Sequence, residues 1–312
     1  MKLALVFPGQ GSQSVGMLKS FADSRPVRDT FAEAADILQQ DLWQLAADGP
    51  AEDLNSTVNT QPLMLTAGYA LYRAWRAAGG DEPAMVAGHS LGEYTALVVA
   101  GVLSLHEALP LVRLRAQAMQ EAVPAGTGAM AAILGLDDDA VRAACVEAAQ
   151  GEIVEAVNFN APSQVVIAGH KGAVERAATV AKEKGAKRAV MLPVSAPFHA
   201  SLLKPAAQRL EQALAGVTFH APRIPLVNNV DVAVVADPQQ IKSALARQAC
   251  SPVRWVEVIQ HMARSGVTHV GECGPGKVLA GMTRRIDINL QGFAIADAAS
   301  LAQAAQTFRE AA

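Results

Sequence analysis

A serine set between two glycines, Gly88-His89-Ser90-Leu91-Gly92, is the segment of this sequence best suited to covalent chemistry. On a sharp strand-to-helix turn such a serine projects its hydroxyl clear of the backbone, and small neighbours let the turn close. The N–H groups that open the following helix then face the place where negative charge develops when the hydroxyl attacks a carbonyl. Ser90 is therefore expected to be a nucleophile that carries an acyl group as an ester. The same residues also allow a plain structural turn with Ser90 as a helix N-cap.

A serine needs a base, and the chain offers seven histidines. His89 adjoins Ser90, but its side chain should leave the turn in another direction. His106, His170 and His261 fall at or within helical stretches, His269 in a strand, and His220 in a Pro-flanked strand or loop. Each reads as a surface or satisfied core histidine. His199 differs, because Pro193–Ala200 is a Pro-interrupted apolar loop that can carry a side chain over a cleft. A neutral imidazole there could take the serine proton and later return it, although a structural loop histidine fits the same residues. In the helical stretch 109–120, Arg113 and Arg115 stand two apart and so face different ways. One can be solvated while the other points inward, where a guanidinium grips a carboxylate in bidentate fashion. A surface arginine in an ion pair is the plainer alternative.

Hydrophobic periodicity and turn residues indicate the elements that must position these groups. Residues 3–7 read as a fully buried strand ended by Pro8-Gly9. Helical periodicity follows over 29–40 and 61–78, with Pro62 placed in the first turn of the second, where its missing N–H costs nothing. Residues 84–88 form a second apolar strand that runs directly into a helical stretch at 91–99. That grammar belongs to a parallel α/β sheet. The middle of the chain then reads strand 128–134, helix 137–149, strand 152–158, strand 164–168, helix 172–184 and strand 187–192. This β-α-β-β-α-β order is ferredoxin-like. Gly126-Thr127-Gly128 and Pro193–Pro197 look like its hinges. Residues 126–194 are therefore expected to be a small subdomain inserted into a larger one built from 1–125 and 195–312. Strands at 225–230, 268–272 and 292–296, with helices at 238–248 and 252–264, complete the larger unit.

Composition narrows the function classes. Of 312 residues, 51% are apolar and 18% charged, which sets disorder and coiled coil aside. The formal charge of −3 is scattered and no Lys/Arg run occurs, which argues against a nucleic-acid or polybasic membrane partner. Cys145, Cys250 and Cys273 are odd in number and lack metal-ligand spacing, so neither a disulfide framework nor a metal site is expected. The apolar run 3–7 is too short for a signal peptide, and the longest apolar stretch, 96–102, cannot span a bilayer. A cytoplasmic location is expected. No exposed amphipathic seam demands a partner subunit, so a monomer is expected too.

Several segments together resemble one family, the malonyl-CoA:acyl carrier protein transacylases. They are Phe7-Pro8-Gly9-Gln10-Gly11-Ser12-Gln13, Gly88-His89-Ser90-Leu91-Gly92-Glu93, Arg115, Asn158-Phe159-Asn160, the His199 loop, Asn228-Asn229, Gln248 and Gly274-Pro275-Gly276. The resemblance keeps its order along nearly the whole chain. It implies an α/β-hydrolase-like large subdomain with a ferredoxin-like insertion. It also implies ping-pong transfer of malonyl from coenzyme A to serine, then to the phosphopantetheine thiol of acyl carrier protein in fatty-acid synthesis. No bound cofactor is implied, since the phosphopantetheine belongs to the partner. By resemblance Ser90 is the nucleophile and His199 its base, with oxyanion-hole N–H groups from Gln10 and Leu91. Arg115 would bind the malonyl carboxylate and Gln248 would orient His199 through a carbonyl. Gln61, Asn160 and Phe198 would be secondary pocket residues, Phe198 favouring malonyl over branched acyl groups. A thiolate leaves more readily than an amine, so a dyad suffices, and no aspartate stands out as a third member. Rival readings are a polyketide or malonate decarboxylase acyltransferase, a serine esterase or thioesterase, and a non-catalytic carrier-docking module.

Overall fold

Leu3–Phe7 (β1) lacks alternating polarity because both of its faces are covered. Leu3, Leu5 and Phe7 enter one hydrophobic cluster, and Ala4 and Val6 enter another. Its parallel neighbours are Met85–Gly88 (β2) on one side and His269–Cys273 (β7) on the other, and Gln291–Ile295 (β8) extends the sheet beyond β7. The computed structural model describes residues 1–194 and 196–310. Ser195, where the larger subdomain is expected to resume, lies outside the described residues, as do Ala311 and Ala312.

Between β1 and β2 run α1 (Arg25–Leu38), α2 (Leu42–Asp48), α3 (Ala51–Asn55) and α4 (Thr57–Ala77). After β2 come α5 (Gly92–Val99) and α6 (Leu105–Glu121), the latter opened by a Ser104–Glu107 capping box. A second sheet follows, made of β3 (Gly128–Leu134), β4 (Val154–Ala161), β5 (Gln164–His170) and β6 (Arg188–Met191), with α7 (Asp138–Ala149) and α8 (Lys171–Glu183) between them. Its order β4-β5-β3-β6 is antiparallel throughout, the ferredoxin-like arrangement. Period-two alternation divides its faces. Ala129, Ala131, Ile133, Val165 and Ile167 pack against α7 and α8, whereas Met130, Val166 and Ala168 join the core of the larger unit. The chain closes with α9 (Lys204–Ala215), α10 (Pro238–Gln248), α11 (Trp255–Arg264), α12 (Val278–Ile286) and α13 (Ala298–Glu310).

The α/β expectation with an antiparallel ferredoxin-like unit holds, and three elements differ in detail. Pro62 lies beyond the first turn of its helix, because residues from Asn59 onward already wind onto the Ser56 carbonyl. The helix expected from 252 begins at Trp255, because Val253 exchanges backbone hydrogen bonds with β4, at Val157 and Phe159. Residues 225–230 do not form a strand. They make single bridges, Leu226 to Val86 and Val227 to Val234, before Asn228 and Asn229 turn out of line. Asn228 Oδ1 accepts from the Asp231 N–H, and the Asn229 side chain is taken up beneath Ser90.

Strand order places the site. β1 is flanked by β2, which follows it in the chain, and by β7, which arrives much later, so the connections leave β1 in opposite directions. Crevices at such switch points, outside the carboxyl ends of the strands, are where open α/β sheets bind ligands. Gln10 follows the carboxyl end of β1 and Ser90 that of β2.

Candidate active site

The turn from β2 to α5 works only with glycines at its two ends. A Cβ on Gly88 would lie 1.8 Å from the Gly92 carbonyl carbon, and one on Gly92 would lie 2.0 Å from the Phe7 carbonyl oxygen. Between them Ser90 adopts a left-handed backbone, φ +53°, a conformation costing a residue with a Cβ roughly 1–2 kcal/mol. Both of its backbone polar groups are secured. Its N–H donates to Asn229 Oδ1 at 2.8 Å, and its carbonyl accepts from Gln248 Nε2 at 2.9 Å.

His199 meets this serine from the loop after β6. It too is left-handed, φ +68°, and only 3% exposed. Its Nε2 lies 2.7 Å from Ser90 Oγ and its Nδ1 lies 2.8 Å from the Gln248 backbone carbonyl. A carbonyl only accepts, so Nδ1 carries the proton and a neutral ring presents Nε2 to the serine hydroxyl. Burial lowers the His199 pKa to about 3, and the Arg115 charge adds to the effect. The ring is thus a neutral acceptor at any pH near neutrality. Serine O–H to Nε2, with Nδ1 held by a carbonyl, can move a proton away from an attacking hydroxyl.

Arg113 and Arg115 do face different ways, but Arg113 is not simply solvated. It donates to the Leu38 carbonyl and to Gln40 Oε1. Arg115 points inward and is 1% exposed. Its Nη1 donates to Gln61 Oε1 at 2.7 Å, and its Nη2 to Gln248 Oε1 at 3.0 Å and Ser90 Oγ at 3.1 Å. The Tyr94 ring centre is 5.4 Å from its guanidinium carbon. Burial lowers its pKa, opposed by Tyr94 and Glu93. Every hydrogen-bond partner is neutral, and among the described residues no carboxylate stands within ion-pair distance of it. A buried cation in such company is suited to pair with an anion.

These groups open onto a cavity of about 120 Å³ between the two sheets' units. Gln10, Gln61, His89, Ser90, Leu91, Arg115 and Met119 line it from one side, and Met130, Asn158, Leu192 and Val194 from the other, with Phe198 and His199 bridging. Gln10 and Leu91 border the serine, and neither backbone N–H has an acceptor among the described residues. Two free donors beside Oγ, one after β1 and one at the start of α5, can hold a tetrahedral oxyanion. No trio of His, Cys, Asp and Glu that could hold a metal occurs among the described residues.

One expectation about the pocket changes. Asn160 stands behind the cavity wall, its Oδ1 meeting His89 Nε2 at 2.8 Å, while Asn158, two residues earlier on β4, faces the space. His89 is a wall residue held by Asn160 and packed on the Trp255 ring, where sequence reasoning gave it no place at the site. Glu93 and Asn229 lie beneath Ser90, a place that the sequence does not assign to them. Their signal was present in the glycine-serine segment and in the Asn228-Asn229 pair, but no local pattern tells what a buried polar side chain reaches.

An acyl transferase domain model matches residues 4–285. The malonyl CoA-acyl carrier protein transacylase of Escherichia coli K12 is 56% identical over 304 residues, 97% of this chain and 98% of that protein. An acyl-carrier-protein S-malonyltransferase structure from Burkholderia pseudomallei is 67% identical, covers 98% of this chain and 100% of its own, and superposes with a TM-score of 0.97. A malonyl-transacylase solved in complex with a type II PKS acyl-carrier protein is 52% identical, with a TM-score of 0.97 and coverage of 98% and 100%. With a serine, a histidine and an inward arginine meeting at the switch point of this fold, the chain belongs to the acyl transferases, in the malonyl-CoA:acyl carrier protein transacylase family.

Proposed function

We propose that this chain transfers a malonyl group from malonyl-CoA to the phosphopantetheine thiol of an acyl carrier protein, supplying fatty-acid synthesis. Ser90 Oγ attacks the thioester carbonyl while its proton passes to His199 Nε2. The N–H groups of Gln10 and Leu91 hold the oxyanion; losing one such donor typically costs about 10²–10³ in rate. Collapse expels the coenzyme A thiolate, which takes the proton from Nε2 and leaves malonyl as an ester on Ser90. The carrier thiol then gives its proton to Nε2, attacks the ester, and the departing Ser90 oxygen takes that proton back.

The observation that carries malonyl, rather than a neutral acyl group, is Arg115. Its Nη2 sits 3.1 Å from the acyl-bearing oxygen, with neutral partners only. A short acyl chain on Oγ brings its far carboxylate back to that guanidinium. Gln61 and Gln248 hold the fork, and Phe198 closes the pocket. An esterase has no use for a buried cation at this place. Every named group lies in one chain, which supports a monomer as the catalytic unit. The three thiols are free, and no described helix is long and apolar enough to cross a membrane, both in keeping with a cytoplasmic location. We take residues 126–194 as an inserted unit. Its two connections touch, a Cβ on Gly128 falling 2.4 Å from Pro197 Cδ.

Intact mass spectrometry tests the reading. Mixing with malonyl-CoA should add one malonyl group to the protein, acetyl-CoA should add far less, and holo acyl carrier protein should remove the adduct. Ser90→Ala should take up nothing. Hydrolysis of the adduct in water as fast as transfer to the carrier would return the chain to the esterases.

A further inference from the structure

Glu93 is 2% exposed, one helical step beyond the nucleophile, and the transfer chemistry gives it no task. Its Oε2 accepts from Gln248 Nε2 at 2.8 Å and from the Asn229 backbone N–H at 3.1 Å. Those two partners are the ones that hold the backbone of Ser90. Asn229 Oδ1 takes the Ser90 N–H, and Asn229 Nδ2 donates to the Gly88 carbonyl at 2.7 Å. Gln248 Nε2 donates to the Ser90 carbonyl, Gln248 Oε1 to Arg115 is an acceptor, and the Gln248 backbone carbonyl takes His199 Nδ1. A closed ring runs Ser90, Asn229, Glu93, Gln248 and back to Ser90. One carboxylate oxygen is the node that ties it.

We infer that Glu93 and Asn229 are positioning residues for acyl transfer. They buckle the left-handed serine backbone in place and set Gln248 so that it aligns His199 and Arg115 together. The inference rests on the acyl-Ser90 mechanism above. The ring explains how a strained φ at the nucleophile persists, since strain of this kind lasts only where the surroundings over-determine it. It also explains a carboxylate buried behind the site without an ion pair, because removing it would leave two buried N–H donors unmatched.

The groups facing Glu93 are Arg115 from α6, Tyr94 beside it on α5, Asp231 from the segment before α10, and the neutral Asn229 and Gln248. Burial raises its pKa to about 7, opposed by the Gln248 and Asn229 hydrogen bonds and by Arg115, and reinforced by Asp231. Its proton therefore leaves as pH rises through about 7, and the carboxylate then accepts more strongly from both donors. His199, at about 3, contributes no ionisation in this range.

The test is the single-turnover rate of Ser90 acylation by malonyl-CoA, read by quenched-flow mass spectrometry from pH 5.5 to 8.5. The wild-type rate should climb about fivefold through a midpoint near 7. Glu93→Gln keeps an oxygen acceptor, should acylate, and should show no climb. Glu272→Gln, a buried carboxyl outside the ring, should keep the climb. Glu93→Ala should slow acylation about 100-fold, as misplacement of reacting groups does, with a native near-ultraviolet circular dichroism spectrum and a malonyl-CoA KM within about threefold. A Glu93→Ala variant that acylates at the wild-type rate, or a Glu93→Gln profile identical to wild type, overturns the inference. Wild-type protein that takes up no malonyl overturns the proposed function instead.

Discussion

In the proposed reaction Arg115 separates malonyl from other acyl groups by charge, and that makes its substitution the sharpest residue-level experiment. Arg115→Ala should lower kcat/KM for malonyl-CoA by about 100-fold or more, the usual scale for losing one partner of a buried charge pair. Acetyl-CoA, which has no carboxylate to lose, should suffer much less, so the acetyl-to-malonyl ratio of acylation rises. Arg115→Lys should not restore the preference, because a single ammonium cannot reproduce a fork held by Gln61 and Gln248. For the proposed base, His199→Ala should cost about 10²–10⁴ in acylation rate. Sequence alone ranks Ser90 well, because glycines on both sides announce a tight turn. His199 and Arg115 are each readable two ways until the family resemblance is added. The partner of His199 comes only from the resemblance, which names Gln248 through a carbonyl. The atom that fixes its tautomer is a backbone carbonyl, and side-chain identity at position 248 carries no record of it.

At the scale of elements, β1 and β2 are legible because both faces are buried and the residues run apolar without a break. The segment 225–230 reads the same way and fails. What ends its pairing is the use of Asn229 under Ser90, an event set 139 residues away in the chain. The strand-to-helix turn leads to a stability prediction. Gly92→Ala would push a Cβ into the Phe7 carbonyl, so unfolding in urea should report a loss of about 3 kcal/mol or more. A second prediction concerns Glu272 at the end of β7, fully buried, whose Oε2 accepts from the Ala280 N–H at the start of α12. Burial raises its pKa from 4.5 to about 7, against the N–H groups of α12 that lower it. Below pH 4.5 folded and unfolded chains both hold the proton. Between 4.5 and 7 the unfolded chain releases it first, so the contribution of Glu272 to stability falls as pH rises, by at most about 1.4 kcal/mol per unit. Glu272→Gln should therefore gain on wild type between pH 5 and pH 8 in denaturant titrations.

The whole molecule makes the pocket by bringing two differently built units face to face. The parallel sheet supplies the chemistry at its switch point, while the antiparallel sheet turns one face of Met130, Val166 and Ala168 toward it. Element order along the chain showed that two kinds of sheet were present. It could not show which face of β3 would meet the serine, because Ala129, Met130 and Ala131 are all apolar and period two alone does not name the inner side. Met130 therefore tests the division of labour. Met130→Ala should widen the cavity from the side that holds no catalytic group. Acylation by methylmalonyl-CoA should rise about tenfold relative to malonyl-CoA, the lower end of what one methyl group commands in an apolar pocket. Thermal unfolding should show a loss of about 2–5 kcal/mol from the emptied core position.

Gln248 serves four partners with chemically different parts of itself. Its main-chain oxygen steadies the imidazole, and its amide group steadies the guanidinium, the Ser90 carbonyl and Glu93. Amino-acid replacement exchanges the second and leaves the first untouched. A lineage drifting at this codon would thus loosen the guanidinium fork and the nucleophile's backbone together, while the imidazole kept its tautomer.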